Sequence, residues 1–251
     1  MSYIKLKDRI ESYQKSSQQY LLNKVPVVLT INGRSFSKLT SLINKPFSEN
    51  FSDAMISTTL KLCSEVEGAF FGYQFNDEIV IISKNDQNID TMPWYENNAQ
   101  KICSAGCSIA TNHFNNVSSS VLNLMQDATF VGEIFTVPNF TEVINTLIYK
   151  QQQNFYIAVQ SACLYNLLKK YNKNTIMEML AGLSLDEKID ILYHECGVDF
   201  DKYPITFRRG VGVYRSPKII DGFVDNKWTI NTDLPVFSKE PSFLNNLIKN
   251  L

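Results

Sequence analysis

Two carboxylates, Asp77 and Glu78, stand side by side where the polar step Asn76-Asp77-Glu78 interrupts two apolar runs, Gly68–Phe75 and Ile79–Ser83. Runs of that kind around a short polar step predict a β-hairpin. Side chains alternate faces along a strand, so the two acids are expected to point to opposite sides and only one to enter a given pocket. An acid at a hairpin tip is how a nucleotidyltransferase palm presents oxygen to Mg²⁺, which binds through one or two carboxylates plus substrate phosphates. On this stretch alone, a solvated hairpin turn explains the same residues.

Other residues that could do chemistry are sparse. Cys103 and Cys107 lie one helical turn apart with His113 nearby, but the spacing lacks the second ligand pair of a zinc site, and thiols packed in a helix core explain it. His194 and Cys196 read as packing residues, and no nucleophile–base set emerges. Lys169, Lys170 and Lys173, and Arg208, Arg209 and Arg215, are candidate phosphate contacts that a solvated face explains equally for the lysines.

The elements that must position these residues follow from periodicity. Ile4–Tyr20 reads as an amphipathic helix and Val25–Ile31 as a β-branched strand ending at Asn32-Gly33, itself a hairpin-turn dipeptide. Ser52–Glu67 reads as a helix, then the hairpin, then a helix from Pro93 to Phe114, a strand over Ala128–Val137, and a long helix from Phe140 through Leu167. Ser184-Leu185-Asp186-Glu187 is a capping box ahead of Ile189, Ile191 and Leu192. Tyr203–Phe237 mixes short strand-like runs with turns such as Asp221-Gly222. This order predicts an α+β fold, an antiparallel sheet with helices on one face, followed by a mainly helical half. The boundary falls near Pro138, giving 1–138 and 139–251 closely packed, with no flexible linker between them.

Composition narrows the setting. A net charge of −1 argues against a general nucleic-acid-coating surface. Five cysteines is an odd count, and no apolar run reaches spanning length, so the expectation is a cytoplasmic protein with free thiols and no membrane association.

The order of motifs says more than any one of them. Val27-Val28-Leu29-Thr30-Ile31-Asn32-Gly33-Arg34-Ser35-Phe36 is followed by Lys45-Pro46-Phe47, Ala54-Met55, Leu62-Cys63, Phe71-Gly72-Tyr73 and Asn76-Asp77-Glu78-Ile79. Lys101-Ile102-Cys103-Ser104, Thr136-Val137-Pro138-Asn139 and Arg208-Arg209-Gly210 complete the series. From Tyr3 to about Phe243 the chain resembles the tRNA-His guanylyltransferase family, in its Thg-like 3′-to-5′ polymerase branch.

The resemblance implies an enzyme with a palm-like core that adds nucleotides to the 5′ end of tRNA or another RNA. The 5′ end is activated by adenylylation or as a triphosphate, and the 3′-hydroxyl of an incoming nucleotide attacks it. It further implies GTP and ATP as ligands, two Mg²⁺ ions, and a homo-oligomer, dimer or tetramer. Carried over, Asp77, Gly33 and Asn32 fall at metal positions, and Asp77, Glu78 and Lys45 at catalytic ones. Gly33, Arg34, Ser35, Phe36, Ser37, Lys45 and Asn76 fall where the triphosphate is cradled, and Lys150, Arg208 and Arg209 where RNA is contacted.

The chain also departs from the family pattern. Asn32 stands where the family has its first metal Asp; an amide oxygen ligates a hard cation but brings no charge. Asn76 replaces a Ser, Ser37 a His, and Phe130-Val131-Gly132-Glu133 a Phe-Asp-Ala-Arg-type strand. Tyr149-Lys150-Gln151-Gln152-Gln153 and Tyr156-Ile157 replace residues that serve tRNA binding and 5′-end activation in the family. Two alternatives stand beside the polymerase reading: a relative that binds nucleotide or RNA without turnover, and a palm-fold nucleotide cyclase or oligonucleotide synthase.

Overall fold

The computed structural model describes residues 5–86, 90–119, 122, 124, 127–220 and 223–249. Helix α1 (Leu6–Ser16) buries none of its residues. It is shorter than its periodicity suggests because residues 19–21 leave the helix to pair with 97–99: Ala99 N donates to Gln19 O, Leu21 N donates to Asn97 O, and Tyr20 bridges Asn98. Strand β1 (Val27–Gly33) follows, then a single turn of helix, α2 (Phe36–Leu39), and α3 (Glu49–Glu65), whose first turn is capped by Ser48. The hairpin of β2 (Ala69–Phe75) and β3 (Glu78–Ser83) leads to α4 (Ala99–Ser118), which starts at an Asn98 cap after a 3₁₀ turn. Then come β4 (Phe130–Thr136) and the 28-residue helix α5 (Phe140–Leu167). Helices α6 (Lys173–Leu180), α7 (Leu185–Cys196) and α8 (Ile205–Arg209) precede β5 (Val211–Ile220), β6 (Phe223–Asn231) and α9 (Pro241–Lys249). The capping box forms at α7, with Ser184 and Glu187 satisfying each other's backbone N–H.

One six-stranded antiparallel sheet, in the order β4-β1-β3-β2-β5-β6, carries the molecule. Alternation along its central strands explains why these are nearly all apolar. Leu29, Ile31, Ile79 and Ile81 face α3 and α4 through Met55, Leu62, Ile102 and Phe114. Their strand neighbours Val28, Val80 and Ile82 face α5 through Val143, Leu147, Ala158 and Ala162. A strand covered on both sides has no solvent face on which to place polar residues. The helices of the first half therefore lie on one face of the sheet, and the C-terminal helices cover the other. Strands from both sides of Pro138 share the sheet, since β5 pairs with β2 from Phe71↔Tyr214 to Gln74↔Val211. The short runs expected after Tyr203 are instead two long strands in unbroken register from Gly212↔Asn231 to Ile220↔Phe223; the Asp221-Gly222 turn lies outside the described residues. Among the described residues no helix is long and apolar enough to cross a membrane.

Candidate nucleotide and metal site

The hairpin tip is built by a two-residue turn, with Phe75 and Glu78 paired and Asn76-Asp77 between them. Asn76 sits at φ 49°, a left-handed conformation that Asn tolerates better than most residues. Gln74, buried beneath the tip, donates from Nε2 to Asn76 O at 2.9 Å and holds the turn shut. Asn76 Nδ2 in turn donates to Asp77 Oδ1 at 2.9 Å, so the carboxylate is oriented by its own neighbour. The backbone ties the tip to β1, where Gly33 N donates to Asp77 O at 2.9 Å.

Asp77 lines a cavity of about 220 Å³ between this tip, the segment from Phe36 to Ser52, α5 and α8. The Lys45 ammonium reaches into the same cavity. It donates to Thr40 Oγ1 at 2.9 Å and lies 5.9 Å from the centre of the Tyr165 ring. Burial pushes the Lys45 pKa down, and the Asp77 charge partly offsets that. Burial likewise pushes the Asp77 carboxyl up, with the Glu78 charge adding and Lys45 opposing. No Lys or Arg among the described residues forms an ion pair with Asp77 within 4 Å. Phe47, Tyr165 and Phe207 give it aromatic walls, and Ser37, Asn44 and Ser161 a polar lining.

Glu78 goes the other way. It occupies the face of β3 that meets α5, where its Oε1 lies 2.6 Å from Lys150 Nζ. That contact is an ion pair whose angle misses hydrogen-bond geometry, and the oxygen has no other partner. Asn32 is the cross-strand partner of Glu78, on that same face. The Asn32-Gly33 pair makes no hairpin: β1 runs on through Gly33, which pairs with Phe130 of β4. Glycine is required there because a Cβ on Gly33 would stand 2.4 Å from the Phe36 ring, which is buried among Phe51, Phe114 and Phe130.

The cavity thus gathers Phe36, Ser37, Lys45, Asn76 and Asp77, with Asn32, Gly33, Arg34, Ser35 and Glu78 beside it but outside its lining. Within the stretch expected to cradle a triphosphate, the N–H groups of Gly33 and Arg34 are already engaged, by Asp77 O and Thr129 O. Ser35 caps α2 at φ 58°, and the N–H groups of its first turn point out of the helix end.

The three cations expected to meet RNA are held internally. Lys150 pairs with Glu78. Arg208 donates to Asp201 Oδ1 at 2.7 Å and to Tyr203 O at 3.0 Å. Arg209 donates to Leu234 O at 3.1 Å, and its carbonyl accepts from Tyr73 Oη and Gln151 Nε2. Gln151 also binds Pro235 O and Phe237 N, and Asn154 Nδ2 donates to Tyr73 Oη, so a buried polar network locks α5 to the end of α8. Burial pushes the Tyr73 phenol pKa up. Gly210 ends α8 at φ 77° with no room for a Cβ against Tyr73, which accounts for the glycine after the two arginines.

The sequence reading missed Ser161 and Tyr165, which line the cavity together with Ile157. Their signal was the spacing 150, 157, 161, 165, one face of a helix once α5 is wound as a single element.

The groups at the expected metal positions, the Asp77 carboxylate, the Asn32 amide oxygen and the Gly33 carbonyl, are all oxygen donors, the chemistry a hard divalent cation accepts. They fit one ion held by one carboxylate, because the second carboxylate at the tip is committed to Lys150. Among the described residues no cluster of three His, Cys, Asp or Glu could hold a metal by protein charge alone.

Similarity to known proteins agrees with this architecture. The fold is the palm-like α+β class: the chain superposes with a TM-score of 0.86 on a bacterial tRNA(His) guanylyltransferase-like protein in complex with ATP, at 24% identity over 97% of this chain and 99% of that one. The tRNA(His) guanylyltransferase of Saccharomyces cerevisiae superposes with a TM-score of 0.72, at 17% identity over 86% of this chain and 94% of that one. The family model described as tRNAHis guanylyltransferase matches residues 7–138, and the chain belongs to that family. It is 25% identical over 232 residues to tRNA(His) guanylyltransferase 1 of Arabidopsis thaliana, covering 88% of this chain and 39% of that protein. It is 24% identical over 214 residues to a probable tRNA(His) guanylyltransferase of Dictyostelium discoideum, covering 82% of each. The chain spans 39% and 38% of the length of the two Arabidopsis relatives it matches.

Proposed function

We propose that this protein is a nucleotidyltransferase that adds a nucleotide to the 5′ end of an RNA, a tRNA by family, using GTP and ATP. The observation that carries the reading is the convergence of Lys45 and Asp77 in one aromatic-walled cavity at the hairpin tip of a family member. The triphosphate is bound by the Lys45 ammonium and the N–H groups of Ser35–Ser37, while Phe47, Tyr165 and Phe207 exclude water. Asp77, with Asn32 and Gly33 as neutral oxygen donors, would hold Mg²⁺, which would supply the charge neutralisation that phosphoryl transfer needs. The Asp77 carboxylate is aimed by the hydrogen bond from Asn76 Nδ2. Glu78 orients α5 against the tip by way of Lys150 and takes no metal.

The test is calorimetric titration of GTP and ATP with and without Mg²⁺, on the wild type and Asp77→Ala, followed by incorporation of labelled nucleotide at an RNA 5′ end. Mg²⁺-dependent binding that vanishes in the variant supports the reading. Binding indifferent to both Mg²⁺ and Asp77 would sink it. One observation favours a second reading, binding without turnover: Asn32 and the Glu78–Lys150 pair leave Asp77 as the single carboxylate available to metal. Full Mg²⁺-dependent GTP affinity with no incorporation by the wild type selects that reading.

A further inference from the structure

Thr40 caps the C-terminal end of α2 and is buried, and each of its polar atoms is committed. Its N–H and its hydroxyl both donate to Phe36 O, at 2.8 and 2.6 Å, and its carbonyl accepts from Ile43 N at 3.3 Å. A hydroxyl has one proton, and here that proton is spent on Phe36 O, so the oxygen can only accept. The group it accepts from is Lys45 Nζ, at 2.9 Å. A chain of hydrogen bonds thus runs from the Phe36 carbonyl through Thr40 to the ammonium. Its root lies in the core, where the Phe36 ring packs among Phe51, Phe114 and Phe130 and abuts Gly33 on β1.

We propose that Thr40 is a positioning residue that fixes the Lys45 ammonium in the cavity before a triphosphate enters; the proposal rests on the reading of that cavity as a nucleotide site. A threonine that bonds back to its i−4 carbonyl is ordinary, and that habit explains the bond to Phe36 O. It does not explain why the same oxygen lies against Lys45, the only Lys or Arg among the residues lining the cavity. Three features give the contact a purpose. First, a lysine stem is long and flexible, and one anchored on folding has less freedom to lose when a ligand binds. Secondly, the charges of Lys45 and Asp77 attract across the cavity, yet they form no ion pair within 4 Å. The Thr40 anchor opposes that attraction, leaving the ammonium for phosphate and the carboxylate for a cation. Thirdly, an ammonium has three N–H groups, and Thr40 accepts from one. The Tyr165 ring flanks the nitrogen without taking a hydrogen bond, 5.9 Å from its centre, so the other two are left for phosphate oxygens.

The experiment is calorimetric titration of GTP with Mg²⁺ into the wild type, Thr40→Val, Thr40→Ser, Lys45→Met and the double variant Thr40→Val/Lys45→Met. Thr40→Val removes the acceptor and strands no carbonyl, because Phe36 O keeps its backbone bond from position 40. It should weaken GTP binding roughly ten- to thirtyfold, the rotamer freedom of a lysine stem expressed as affinity. Thr40→Ser keeps the hydroxyl and should bind as the wild type does. The double variant should bind no more weakly than Lys45→Met, since an anchor with nothing to hold has no effect. Melting curves establish that the variants fold. Wild-type affinity in Thr40→Val overturns the proposal, as does an equal loss in Thr40→Ser. So does a Thr40→Val loss of the same size with and without Lys45, which is what a merely structural threonine gives. A second measurement needs no nucleotide: acylation of Lys45 at fixed pH, followed by peptide mapping. It should be faster in Thr40→Val than in the wild type or Thr40→Ser, because the protonated amine has lost its acceptor. Faster acylation with no GTP binding by the wild type keeps the anchor and removes the nucleotide site. Equal acylation in the wild type and Thr40→Val overturns the anchor, whatever GTP does.

Discussion

Lys150 Nζ on α5 stands 2.6 Å from Glu78 Oε1 on β3, and this ion pair joins the two halves of the chain beside the candidate site. With side chains 17% and 23% exposed, it lies between a surface pair and a buried one. Lys150→Met would leave the carboxylate desolvated with no other partner, at an expected cost of about 1–3 kcal/mol. The double variant Lys150→Met/Glu78→Leu should recover most of that loss, because it removes the stranded charge. Urea unfolding of the two singles and the double checks it. A double variant as unstable as the sum of the singles would show that the pair is not the relevant interaction.

Asn32 and Glu78 are direct cross-strand neighbours, so Asn32→Asp sets two carboxylates opposite each other. Without metal, this should lower stability by about 0.2–1 kcal/mol. With Mg²⁺ the added charge should raise metal affinity tenfold or more, one decade per 1.4 kcal/mol of added attraction, and stability should then exceed that of the wild type. Thermal melts in EDTA and across a Mg²⁺ series, with GTP present, read both effects. Equal melts in the two conditions would mean that position 32 does not face the ion.

Much of this was legible in the sequence because it is local. The hairpin tip follows from two apolar runs and a polar step, and the α7 cap from Ser184 and Glu187. The covering of both sheet faces is legible only in part: Val28 and Leu29 are equally apolar, and nothing in their identity says that one faces α5 and the other α3 and α4. The fates of Lys150, Arg208 and Arg209 were not legible, since a basic residue reads the same whether it meets phosphate or a carboxylate brought close by the fold. Glu78 lies far from Lys150 in the chain, and Leu234 is separated from Arg209 by the whole β5–β6 hairpin. The cavity wall on α5 was missed for a related reason: Ser161 and Tyr165 have ordinary identities, and only the winding of the full helix puts them beside Asp77.

Gly33→Ala drives a methyl carbon into the Phe36 ring at 2.4 Å, in a cluster with no slack. Overpacking of this kind costs about 1–3 kcal/mol. Because Phe36 opens α2, its displacement should also move Ser37 and weaken GTP binding. Phe36→Leu in the Gly33→Ala background makes room and should restore stability before it restores GTP affinity. Parallel denaturation and GTP titrations test the order.

His113 on α4 shares a 2.9 Å hydrogen bond with Ser57 on α3, between Nε2 and Oγ. Burial lowers its pKa, and the Lys61 charge lowers it further. A histidine whose folded pKa lies below its unfolded value of about 6.5 binds protons more readily when unfolded. Its contribution is therefore complete above the unfolded pKa and lost as pH falls through the folded one. The melting temperature should drop on going from about pH 7 to about pH 5, and His113→Gln should flatten part of that drop. A pH profile identical in the variant would place the acid sensitivity elsewhere.

The five thiols divide by burial. Cys63 and Cys163 are shut inside the two cores, and burial pushes the Cys163 thiol up to about 11 and that of Cys63 higher still. Cys103, Cys107 and Cys196 are half-buried, with their pKa values raised chiefly by burial. The reactive species is the thiolate, so all five should react slowly in the native state, and the first two only when the core opens. Iodoacetamide labelling followed by peptide mass mapping should find Cys103, Cys107 and Cys196 modified in native buffer. Cys63 and Cys163 should appear only in denaturant, at the rate of global unfolding. Cys163 sits in α5 and its thiol donates from Sγ to Lys188 O on α7 at 3.3 Å. Labelling of Cys163 as fast as Cys103 in native buffer would mean that α7 lifts from α5 without the sheet unfolding, and the wall beneath Tyr156 would then be mobile.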